Sequence, residues 1–137
     1  MPARHLIVDG MNVIGSRPDG WWRDRRGAMR SLVEMLASHA ASGDEDVIVV
    51  FDGRPFELDG EEAVGVEVIF ASRAGRNAAD DDIVALVERA ERPGSIRVVT
   101  SDDELARRVG ALGPQVIGAG AFRRELAATE ASSRESR

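Results

Sequence analysis

Aspartates recur at places from which they could act together on one phosphate. Asp9 closes the apolar run "HLIVD", Asp52 closes "DVIVVFD", and Asp102 closes "IRVVTSD" with Asp103 beside it. Asp80 and Asp81 open "NAADDDIVALVERA". Carboxylates drawn together repel one another and raise their own pKa values unless a cation lies between them. An oxygen-rich set without Cys or neighbouring His suits a hard cation, Mg²⁺ or Mn²⁺, as one or two ions. Such ions keep coordination positions for water and phosphate, so the chemistry they point to is phosphoryl or phosphodiester transfer. Each acidic stretch also has a plainer use. "SDDE" (101–104) fits a capping box pairing Ser101 with Glu104, and "NAAD" fits an N-cap followed by an acidic first turn. Asp9 and Asp52 escape that reading, because neither directly precedes a helical pattern.

The elements that must position these residues are legible as alternating patterns. Apolar, β-branched runs at 5–9, 46–52, 66–70 and 96–102 read as strands, and "QVIGA" (115–119) as a weaker fifth. The second and fourth are near-continuous rather than alternating, as in a parallel sheet covered on both faces. Helix-period segments lie at 24–41, 79–92, 102–110 and 120–128. Strands alternating with helices predict an α/β fold built from βαβ units. Segment 53–65 shows no helical pattern, yet is just long enough for a crossover. In a parallel sheet all strand carboxyl ends share one edge, where ligands bind. Asp9, Asp52 and Asp102 are therefore expected on that edge, joined by Asp80 from the helix that runs back from it.

Composition sets the outer limits. The 137 residues predict one domain over 1–128, followed by a small, polar tail at 129–137 read as disordered. The absence of Cys excludes disulfides and thiolate metal sites, and His5 and His39 are too few and too separated for a zinc cluster. The N-terminal apolar run is too short for a signal segment and no run approaches membrane-spanning length, which predicts a soluble cytoplasmic protein with no membrane partner. Nothing in the sequence sets an oligomeric state.

The net charge of −6 means that any polyanion must be met by a local Arg patch or by bound cations. All 18 basic residues are Arg. Arg54, Arg73 and Arg76 flank the expected acidic edge, and with Ser101 and Asn12 they are the candidates for contact with substrate. Asn12, in "DGMN" after the first strand, could fix a carboxylate or touch substrate, or simply make an Asx turn. Arg23, Arg25, Arg26 and Arg30 gather at the start of the first long helix and read as a solvated face. Of the adjacent Trp21 and Trp22, at least one is expected in the core; an exposed one could stack on a base. His39 reads as a C-terminal helix cap.

"IVDGMNVIG", "VIVVFDG", "GRNAADDDI" and "VVTSDDE", in that order and with "FRREL" near the end, resemble the YacP-like branch of NYN domains, which are PIN-like nucleases. The resemblance spans about residues 4–127. It implies a three-layer PIN-like fold with a central, mostly parallel sheet and helices on both faces. It also implies metal-dependent cleavage of RNA, and a ribosome- or mRNA-decay-associated endoribonuclease stands among the relatives. Carried over by position, the family's acidic residues fall on Asp9, Asp52, Asp80 and Asp102, and its asparagine on Asn12. Where YacP-like members commonly have Ser and an aromatic residue after the "AD", this chain has Asp81 and Asp82, closer to the "ADD" of PIN domains generally.

The leading expectation is a metal-dependent, RNA-cleaving hydrolase in which Asp9, Asp80 and Asp102, with Asn12, form the catalytic set. Asp52, Asp81 or Asp103 would support the metal, and the products would carry 5′-phosphate and 3′-hydroxyl ends. The alternative is a non-catalytic RNA- or ribosome-binding module with the same fold. A phosphoaspartyl receiver is disfavoured because the chain has no Lys, and an aspartyl phosphatase because no DxDxT is present. A dinucleotide-binding fold is disfavoured because no GxGxxG follows the first strand.

Overall fold

The computed structural model describes residues 4–16, 20–43, 45–52, 65–71 and 78–135. The chain runs β1 (Arg4–Asp9), α1 (Gly10–Gly15), a 3₁₀ turn (Trp21–Arg23), α2 (Arg25–Ser42), β2 (Glu45–Phe51) and β3 (Val66–Phe70). It continues through α3 (Ala78–Arg89), a second 3₁₀ turn (Pro93–Ser95), β4 (Ile96–Val99), α4 (Asp103–Gly110), β5 (Gln115–Ile117) and α5 (Ala119–Glu135).

The strands form one sheet in the order β3-β2-β1-β4-β5, and every pairing is parallel. Strand residues alternate between two faces, and each face finds its own helices. Leu6, Val8, Val47, Val49 and Phe51 pack with Val13 of α1, Leu32, Val33 and Leu36 of α2, and Phe122 and Leu126 of α5. Ile7, Val50, Ile96 and Val98 pack with Ile83 and Val87 of α3 and Leu105 and Val109 of α4. This is the expected three-layer α/β arrangement, with burial on both faces explaining why β2 and β4 read as near-continuous apolar runs.

The chain builds outward from β1 through β2 to β3, then returns to add β4 on the other side of β1. The order therefore reverses between β1 and β4, and the crevice beyond their carboxyl ends is where ligands bind in open parallel sheets. Asp9 ends β1, and Asp102 lies just past the end of β4.

Three local features depart from the sequence pattern. The turn expected after β1 is a short helix, α1, which six residues bounded by Gly10 and Gly15 cannot announce by periodicity. Asp9 thus does precede a helix, although its side chain makes no capping hydrogen bond to it. Strand β4 stops at Val99 rather than 102, with Thr100 N–H still donating to Ile117 O (3.0 Å). Helix α5 continues past 128 to Glu135, through most of the tail that polar composition suggested would be disordered. The crossover expected within 53–65 falls almost wholly outside the described residues.

Gly10 allows α1 to follow β1 without a gap. A Cβ there would stand 2.4 Å from Phe51 Cδ1 and 3.1 Å from Val49 Cγ2, both side chains being fully buried. Gly10→Ala is expected to cost roughly 1–3 kcal/mol through overpacking, read as a lowered denaturation midpoint with an unchanged slope. An unchanged midpoint would show that Phe51 moves aside without cost.

Candidate active site

The carboxylates meet at the carboxyl edge of the sheet because strand periodicity and helix starts bring them there. Asp9 and Asp52 occupy the same face of neighbouring strands as Ile7 and Val50, the face covered by α3 and α4. Asp9 is 5% exposed. Its Oδ2 accepts from Thr100 Oγ1 at 3.0 Å, and the same Thr100 oxygen accepts from Asp102 N–H at 3.1 Å. Thr100 is itself buried and so ties the end of β1 to the loop after β4.

Burial pushes the Asp9 carboxyl up to about 6, with Asp80 and Asp52 adding repulsion against the Thr100 bond and the Asn12 amide. Asp80 is raised as well, first by burial and then by Asp102 and Asp52; Arg108 opposes this and Asp81 adds to it. Asp9 thus feels Asp80 and Asp52, and Asp80 feels Asp102 and Asp52.

Two of these aspartates also hold the frame. Asp52 Oδ1 accepts from Ala79 N–H at 3.1 Å, so a residue at the end of β2 satisfies a first-turn amide of α3 and sets Asp80 in place. Asp102 is the N-cap of α4, its Oδ1 accepting from Leu105 N–H at 3.0 Å. The Ser101–Glu104 capping box is thereby replaced by Asp102 acting one residue later. Ser101 Oγ instead accepts from Ala119 N–H (2.8 Å) at the start of α5, and Ser101 N–H donates to Asn12 Oδ1 (2.7 Å). Asn12 thus clamps α1 to the loop carrying Asp102, which is more than an Asx turn.

Asp81 pairs with Arg108 of α4 at 3.2 Å. Asp103 lines a surface groove with Ala106, Arg107 and Val116, and is not among the main charges acting on Asp9 or Asp80. Arg54, Arg73 and Arg76 lie outside the described residues.

Two residues went unnoticed in the sequence. Thr100 was visible as the Thr of "VVTSD", one strand position before the acidic loop. Arg123 of "FRREL" donates through Nε to Val13 O (2.9 Å) and Ser16 Oγ (2.7 Å) and through Nη2 to Ile14 O (3.3 Å), capping the C-terminus of α1. Only the fold brings it there.

Among the described residues, the one His/Asp/Glu group whose ligand atoms all lie within 4.8 Å of one another is His39, Glu45 and Glu125, not the aspartate edge. Arg97 already neutralises that group, making two-pronged bonds to Glu45 (2.8 and 2.6 Å) and to Glu125 (3.0 and 2.8 Å). A guanidinium in that position leaves no role for a metal ion. His39 Nε2 donates to the Glu45 carboxylate at 3.1 Å and meets Phe122 edge-on, so it is a buried member of this network rather than a helix cap. The edge aspartates form no such close group; what they offer a hard cation is an oxygen-only donor set.

The family model of the YacP-like NYN domain matches residues 6–137. The chain belongs to the YacP-like NYN domain family. Among solved structures it is similar to Rae1 (YacP) from Bacillus subtilis. The W164L mutant matches with 26% identity and a TM-score of 0.80, covering 96% of this chain and 80% of that one. A second Rae1 structure matches with 25% identity and a TM-score of 0.76, covering 99% and 79%. No curated protein matches. YacP-like NYN membership carries a PIN-like, nuclease-type fold and an RNA-related function. No helix among the described residues is long and apolar enough to cross a membrane.

Proposed function

We propose that this YacP-like NYN domain is a divalent-metal-dependent endoribonuclease that hydrolyses RNA phosphodiester bonds at the Asp9–Asp80–Asp102 edge. The supporting observation is Asp9: a buried carboxylate whose ionisation burial and two neighbouring aspartates oppose, set at the point where the strand order reverses. Stability alone does not call for such a group, whereas a bound cation makes use of it.

Asp9, Asp80 and Asp102 would hold one or two Mg²⁺ or Mn²⁺ ions, with Asp52 alongside. The ion, when bound, supplies Lewis-acid activation of water and neutralises charge on the phosphate. The chain does the rest. Thr100 keeps the Asp9 carboxylate oriented, Asn12 holds the Asp102 loop, and Asp52 fixes the start of α3. Asp81, tied to Arg108, adds negative charge beside Asp80. RNA is the partner this reading requires; the ribosome or the mRNA-decay machinery in the cytoplasm would deliver it.

Mg²⁺ and Mn²⁺ titration calorimetry should be paired with cleavage of structured and unstructured RNA. Asp80→Asn is expected to weaken metal binding and to slow cleavage on the order of 100-fold or more. Undiminished cleavage by Asp80→Asn overturns this reading. The structural use of Asp52 and Asp102 as helix caps favours a second one, a non-catalytic RNA- or ribosome-binding module, and RNA binding without cleavage in either metal would select it.

A further inference from the structure

The two adjacent tryptophans take opposite roles. Trp21 packs against the core around α1 and α2, while Trp22 is 60% exposed. Their ring centroids are 6.2 Å apart with planes at 83°, so the anchored Trp21 steadies an indole held at the surface. Arg23, Arg25, Arg26 and Arg30, which follow it closely in the chain, are exposed as well. Asp24, the acid among them, is committed to the Gly27 N–H at 3.0 Å. Arg25 Nη2 donates to the backbone oxygen of Asp52 at 3.0 Å. Asp52 is also a residue whose carboxylate acts on Asp9 and Asp80. Arg25, three residues after Trp22, thus ties the start of α2 to the acidic edge through Asp52. A chain of net charge −6 meets a polyanion through a local basic patch or through bound cations.

We propose that Trp22 and Arg25 form a platform for an unpaired RNA segment beside the cleavage edge. The indole stacks on one base, the Arg25 guanidinium takes a backbone phosphate, and the strand passes Asp52 towards Asp9 and Asp80. The direction of the strand rests on the ribonuclease reading; the platform itself is a statement about binding. An indole face accepts any base but cannot reach one stacked inside a duplex, so the platform prefers single strands and is indifferent to sequence.

Binding is best measured by fluorescence anisotropy in the Asp9→Asn background, which keeps the RNA intact, using a short labelled oligoadenylate and a duplex of the same length. Trp22→Ala is expected to weaken oligoadenylate binding by about tenfold and to leave the duplex little changed. Trp22→Phe should retain most of the affinity. Arg25→Gln should weaken both and lower the salt dependence by about one phosphate contact. Unchanged melting temperatures confirm that the variants fold. Oligoadenylate binding that is equal in Trp22→Ala and its parent overturns the platform, even if the wild type cleaves RNA. A tenfold loss upholds it even if the wild type cleaves nothing, in which case the ribonuclease reading alone falls.

Discussion

Asp9→Asn is expected to melt higher than the wild type in metal-free buffer at neutral pH, and to lose cleavage. The substitution keeps the shape and an oxygen that can accept from Thr100, and removes only the charge. That charge is costly: burial pushes the carboxyl up to about 6 from its ordinary value of 3.8. A raised acid pKa means that the folded state prefers the protonated form. The penalty is therefore absent below about pH 4, grows as pH rises through about 6, and is complete at pH 7 and above. A rise of that size corresponds to roughly 3 kcal/mol, an upper bound on what Asn recovers. The difference in unfolding free energy between variant and wild type should widen from pH 4 to pH 7, then narrow when Mn²⁺ is added, because the ion stabilises only the carboxylate form. Equal stability across that range would mean that Asp9 is not strained by its surroundings, and retained cleavage would remove it from the catalytic set.

At the other end of β2 and β4 the expected change runs the opposite way. Arg97→Met should destabilise the protein by roughly 3 kcal/mol at neutral pH, since removing one member of a largely buried ion pair strands its partners. Side-chain exposures of 22% for Arg97 and 11% for Glu45 place the pair mostly out of water, while Glu125 at 34% is partly screened. Burial pushes Glu45 up, but the Arg97 bonds and His39 outweigh it and leave the carboxyl below its usual range. Arg97 also draws Glu125 down. For groups lowered on folding, stability is present above about pH 4.5 and is lost as pH falls through the folded values. The wild type should therefore weaken on acidification in this window, and Arg97→Met should lose much less there. Chemical denaturation at pH 4 and pH 7 checks this, and Arg97→Met/Glu45→Gln should recover part of the loss. A single variant as stable as the wild type would reduce the network to surface pairs of little value.

These two sites differ in how far the sequence announced them. The aspartates at 9, 52 and 102 followed apolar strand runs, so a parallel sheet alone was enough to place them on one edge. Asp80 followed from the helix start. Strand and helix cores were legible because burial imposes periods of two and 3.6 residues. Short or compensated features were not. Helix α1 is too brief to show a period, and α5 runs on through polar residues that no pattern marks as helical. The Arg97 network joins residues from α2, β2, β4 and α5, and Arg97 reads in sequence as an ordinary polar residue at the start of a strand. His39 was misread for that reason: its partners Glu45 and Glu125 are supplied by the fold. Capping went astray by a single residue at Ser101, because the end of β4 decides whether Ser101 or Asp102 begins the helix.

Asp52 has two uses at once. Its carboxylate satisfies an α3 amide, its backbone oxygen holds Arg25, and its charge bears on Asp9 and Asp80. Asp102 is similarly bound to the start of α4. Asp9 supplies no cap, and its charge is a burden on folding. In a lineage that gave up chemistry and kept the domain as a scaffold, drift would erode Asp9 early, while Asp52 and Asp102 would persist as architecture.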